Sequence, residues 1–100
     1  MEMTATPTNL FDQISVRIIK EQELLIGPLA WDEARKVAGF QVIDQANEKV
    51  QFTGDPKEIL AKLVDQYSRL FGRASTEVCR QAVQDLIVEL PKEQVPEVLQ

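Results

Sequence analysis

The chain contains no histidine, and only one of its 100 residues is cysteine. Without histidine there is no imidazole base, no histidine-dependent catalytic triad and no histidine metal ligand. A single thiol allows no disulfide within the chain and no thiolate zinc or iron–sulfur site. The four glycines stand far apart, at positions 27, 39, 54 and 72, so neither Gly-x-Gly-x-x-Gly nor a phosphate loop can be written. No apolar run approaches the roughly 20 residues that span a bilayer. Residues 1–8 show neither the basic stretch nor the apolar stretch of a signal peptide, and read instead as a flexible leader. No cofactor and no membrane partner is expected, and a cytoplasmic protein follows.

Positive charge is also in short supply. Sixteen acidic residues face 11 basic ones, for a net charge of -5. Phosphate-dominated binding needs clustered Lys and Arg that displace counterions, and the basic residues here are scattered among acidic neighbours. Nucleic acid is therefore not an expected partner. Asp65/Arg69 and Glu58/Lys62 are spaced for solvated pairs on a helix surface.

What the chain has is aliphatic periodicity, with 44% of residues hydrophobic. The clearest signal runs from Asp55 to Leu90, read as two helices joined at Phe71-Gly72-Arg73-Ala74-Ser75. Asp55, Pro56 and Glu58 resemble a capped helix start. Ile59, Leu60, Leu63, Val64, Tyr67, Leu70 and Phe71 then recur at three- and four-residue steps. Gly72 suits a left-handed terminus, and Ser75 a cap for the next helix. That helix carries Val78, Cys79, Ala82, Val83, Leu86, Ile87 and Leu90, and Pro91 stops it.

Upstream, Asn9 is read as a cap and Leu10 to Ile26 as the first helix. Leu10, Phe11, Ile14, Ile18, Leu24 and Leu25 form its core stripe at 100° per residue. Val16, Ile19 and Ile26 fall off that stripe and widen the apolar arc beyond what one-sided packing needs. Gly27-Pro28 breaks the helix, and a short second one carries Leu29, Ala30, Trp31, Ala34 and Val37 before Gly39. The period then changes. Phe40–Ile43 and Lys49–Thr53 have strand composition, with turn residues between them, among which Asn47 tolerates a left-handed conformation. Residues 91–100 read as a loosely docked tail.

The expected fold is a mostly helical α+β domain over 9–90, in the order helix, short helix, β-hairpin, helix, helix. An all-α bundle with an irregular 40–53 segment is the alternative. Chemistry is sparse. Cys79 lies on an apolar helix face, where a free thiol acts as a small hydrophobe. Neither Glu21/Glu23 nor Asp32/Glu33 converges on a point, and Asp44–Glu48 lacks the glycine and the spacing of a calcium loop. The composition thus points to a non-enzymatic interaction or regulatory module, self-associating or binding a partner protein. Val16, Ile19, Ile26 and Trp31 are its candidate contact residues. A ligand-sensing domain is the alternative, with an apolar pocket between the hairpin and the Asp55–Leu90 helices and Tyr67 and Arg73 as polar handles.

Overall fold

A computed structural model describes residues 7–100, with side chains from residue 10 onward. The expected leader at 1–8 and the side chain of Asn9 lie outside this description, except that the backbone of Pro7, Thr8 and Asn9 is already helical. The first helix, α1, runs Pro7–Ile26. It therefore starts a turn earlier than Leu10, at a proline whose fixed φ suits the first helical position. α2 (Leu29–Ala34) follows the Gly27-Pro28 break, then come β1 (Phe40–Asp44), β2 (Lys49–Phe52), α3 (Pro56–Phe71), α4 (Arg73–Ala82) and α5 (Gln84–Ile87). Two 3-10 turns, Lys92–Gln94 and Glu97–Leu99, complete the chain. This is a mostly helical α+β fold.

The hairpin is antiparallel, with Phe40 opposite Phe52, Gln41 opposite Gln51 and Val42 opposite Val50. A register shift follows Val42, so Asp44 pairs with Lys49. The left-handed turn residue is Glu48, at φ 57°, not Asn47. Asn47 instead donates its side-chain amide to the Asp44 carboxylate at 2.7 Å. A two-stranded hairpin is marginal alone in water, and this one is held by its aromatic face. Phe52 meets Phe40 edge-on at 5.3 Å and Phe11 of α1 at 6.1 Å between ring centroids.

α3 starts as its sequence dictates. The Asp55 side chain accepts from the Lys57 N–H at 3.1 Å, and Pro56 opens the first turn. Ile59, Leu60, Leu63, Val64 and Tyr67 are buried along one stripe. Gly72 ends α3 and begins α4 at φ 88°, a backbone conformation that side chains with a Cβ rarely take. Ser75 is therefore not the cap but a buried residue of the first turn of α4.

Two further expectations are corrected. The last helix does not run unbroken to Leu90; it stops at Ala82, and Val83 is non-helical at φ -116°, ψ 10°. The Arg17 guanidinium of α1 donates to the freed Ala82 carbonyl at 3.0 Å and to Asp85 at 3.2 Å, so the break is satisfied from outside the helix. Nor is the tail loose. Val95, Pro96 and Leu99 are buried, and Leu99 is fully so. Lys57 holds the Glu93 carbonyl at 2.8 Å, and Arg80 the Gln100 carbonyl at 3.2 Å.

The face that α1 buries is also not the one its aliphatic residues indicate. Phe11, Ile14, Ser15, Ile18, Ile19 and Gln22 are the buried positions. Phe11, Ile14 and Ile18 of the expected stripe are among them, but the centre of the buried set lies roughly 70° around the helix from that of the full stripe, which also took in Leu10, Leu24 and Leu25, at 100° per residue. Two polar residues, Ser15 and Gln22, sit in the middle of the true face. Ser15 Oγ donates back to the Asp12 carbonyl at 2.9 Å, and Gln22 reaches α4. Left out of an apolar stripe, they pull its apparent centre to the wrong side.

Candidate apolar docking surface

That rotation decides where each expected contact residue lies. Ile19 is fully buried and Trp31 is 3% exposed within the single chain. Both belong to the core, and Trp31 also walls a cleft of about 440 Å³ with Lys20, Glu23 and Gln45. Val16 and Ile26 are half-buried against the core. Tyr67 is fully buried, and its hydroxyl is already engaged by the Ala30 carbonyl, whereas Arg73 is exposed. The fold does not bring Tyr67 and Arg73 together as the two handles of one pocket. A cleft of about 250 Å³ at the base of the hairpin is lined by Gly39, Thr53, Asp55 and Ile59, and includes neither residue.

Ile43, Val88 and Val98 are exposed singly elsewhere in the chain, and among the described residues the rest of the exposed large apolar side chains lie next to the two helix breaks. Two buried hydrogen bonds bring four helix ends to one end of the molecule. The Gln22 amide donates to the Ser75 carbonyl at 3.2 Å, setting the end of α1 beside the start of α4. The Tyr67 hydroxyl donates to the Ala30 carbonyl at 2.6 Å, setting the end of α3 beside the start of α2. Beyond these ties the apolar stripes continue with nothing over them. Leu25 is 61% exposed, Leu29 45%, Leu70 51% and Phe71 37%. Leu25 and Ile26 flank the buried line of α1, and Leu70 and Phe71 flank that of α3, at 100° per residue. Each is a core position of a helix that outruns its partners. Scattered exposed leucines need no explanation, but several gathered at one end mark a contact surface.

The sequence reading missed these residues because it assigned them to the core. One signal was available: all lie in the turns next to the Gly27-Pro28 and Gly72 breaks, where a packed neighbour is least assured.

Charged residues of both signs surround this end. Glu21 and Glu23 stand on α1, and Asp32 stands on α2 with Arg35 at 3.4 Å. Arg69 and Arg73 stand on α3 and α4, and Arg69 pairs with Asp65 at 3.6 Å. Exposed pairs of this kind contribute little to stability. Among the described residues, neither Glu23 nor Arg73 forms a salt bridge. Both oppose the helix they stand on. α4 has no acidic residue in its first turn and begins with Arg73, while α1 has no basic residue in its last turn, which holds Glu23. A cation at a helix start and an anion at a helix end each run against the macrodipole.

Cys79 is fully buried, its thiol is pushed up to about 11 by burial, and the Gln22 amide lies 3.4 Å from Sγ. A third cleft, of about 520 Å³, lies between α1 and the hairpin turn and includes Val16. It mixes Asp12, Arg17, Lys20 and Glu48, with Lys20 and Glu48 paired at 2.7 Å. Among the described residues no group of three or more acidic or cysteine side chains is arranged to hold a metal ion. Nor is any helix there long and apolar enough to cross a membrane. No family model, curated protein or solved structure matches the chain.

Proposed function

We propose that the protein is a small, acidic, non-enzymatic interaction module that works in the cytoplasm through the apolar end built by Leu25, Leu29, Leu70 and Phe71. The observation that carries this reading is the overhang. Large side chains in core register on α1 and α3 stay exposed past the last buried tie between helices. Removing such surface from water yields roughly 25 cal/mol per Å², so a partner that covers it gains directly. Contact surfaces share this layout, with an apolar centre inside a charged rim. The reading keeps the role inferred from composition but moves it from Ile19 and Trp31 to the neighbouring helix ends.

The test is site-specific cross-linking. With Leu25 replaced by a benzophenone-bearing amino acid, illumination in cells of the source should give a protein adduct, to another copy or to a different chain. Leu70→Asp, at a position already half exposed, should abolish that adduct without changing the helical circular dichroism. If no adduct forms at position 25, the apolar end is not a docking surface.

A further inference from the structure

We infer that the groove between α1 and the hairpin turn is a binding site for a linear polyamine, held at its two ends by Asp12 and Glu23. The groove consists of two adjoining clefts, of about 520 and 440 Å³, which share Lys20 and Glu48. Each is within the size range of small-ligand sites, roughly 300–1,000 Å³. Their walls include none of Leu25, Leu29, Leu70 and Phe71, so this site is separate from the apolar end and does not depend on its role.

The charge of the groove selects a cation. Asp12, Glu21, Glu23 and Glu48 line it, against only Arg17 and Lys20. Arg17 is already engaged by Asp85 at 3.2 Å, and Lys20 by Glu48 at 2.7 Å. Among the described residues Asp12, Glu21 and Glu23 have no cationic partner. Asp12 Oδ1 is buried without a hydrogen bond, and burial holds this carboxyl above its ordinary value, so a cation bound beside it offsets the cost of its charge.

The spacing selects a chain charged at both ends. Asp12, Val16 and Glu23 fall within about 40° of one another around α1, at 100° per residue. From Asp12 to Glu23 the helix rises ~16 Å. Carboxylates so far apart cannot converge on one metal ion, and a single amine cannot meet both. Between them lie half-buried Val16 and the aliphatic stem of Lys20. Acid, apolar surface and acid in that order match ammonium, hydrocarbon and ammonium. At the Glu23 end Trp31 forms part of the wall, and an indole attracts an ammonium group. The Lys20–Glu48 pair stands where the two clefts meet, so an inner amine of the ligand can take Glu48 from Lys20.

Proton–nitrogen correlation spectra of the full chain, titrated with spermine at low salt to limit screening, are the test. Spermine should give saturable shifts at the amides of Val16, Lys20, Ala46 and Asn47 and at the Trp31 indole. Putrescine carries the same groups on a chain too short to reach both carboxylates. It should bind at least about tenfold more weakly, because linking two ammonium groups makes the second contact intramolecular. Asp12→Asn and Glu23→Gln should each lower the affinity for spermine to that for putrescine. Glu89→Gln, at an exposed carboxylate outside the groove, should change nothing. No saturable shift with millimolar spermine, equal affinity for the two amines, or shifts spread over the acidic surface at large overturns the inference.

Discussion

The hydroxyl of Tyr67 donates to the backbone carbonyl of Ala30 across 2.6 Å, so the one tyrosine of the chain ties α3 to the start of α2. The ring is fully buried, and the surroundings disfavour its charged form, chiefly through burial. Tyr67→Phe keeps the ring and removes the tie. It should cost about 1 kcal/mol, the usual net value of such a bond, read as a lower urea midpoint at unchanged slope.

Gln22 makes the opposite case. It is fully buried and its amide nitrogen is used, but its side-chain oxygen has no partner. An unsatisfied buried acceptor costs on the order of 1–3 kcal/mol. Gln22→Met, close in length and apolar, should leave the protein equally stable or more so in the same urea assay. A marked loss would mean that the Ser75 contact is worth more than the stranded oxygen costs.

Leu99 is fully enclosed, although it lies in what the sequence presents as a tail. Leu99→Ala should destabilise by about 3 kcal/mol, in the range for a core leucine. A value near zero would show that the segment from Pro91 onward packs more loosely than its burial implies.

Glu33 contributes to the pH dependence in the acid range. Hydrogen bonds from Gln66 at 2.8 Å and Lys36 at 3.0 Å hold its carboxyl below the ordinary value of 4.5. The unfolded chain therefore takes up this proton before the folded one does. The contribution is complete above pH 4.5 and disappears as pH falls through the lower folded value. Denaturation curves collected through this acid range should be flatter for Glu33→Gln than for the wild type.

Cys79 supplies a probe of opening. Its thiol is buried and titrates near 11, so at pH 8 it should react with a thiol reagent only when the structure opens. The labelling rate should track the global unfolding constant. Fast labelling of the native protein would show that α4 separates locally from α1.

Much of the fold was legible because its signals are local. Asp55-Pro56, Gly72, the Gly27-Pro28 break and the change of period at Phe40 each act on a few neighbouring residues, and each marks an element where it stands. What was not legible is how the elements face one another. α1 presents aliphatic residues around much of its surface, and its buried line is fixed by Ser15 and Gln22, whose hydrogen bonds exist only once the chain has folded. The break at Val83 depends in the same way on Arg17, 65 residues away from Ala82. The candidate surface escaped for this reason: a leucine in core register looks the same whether or not something covers it.

The single glycine joint between α3 and α4 fixes more than a turn. Glycine alone would leave the corner free to turn, but the Ser68 and Thr76 hydroxyls hydrogen-bond across it at 2.6 Å, which holds Phe71 and Arg73 at a near-constant spacing. Whatever arrives at that corner finds its template already set, and little freedom has to be surrendered on contact.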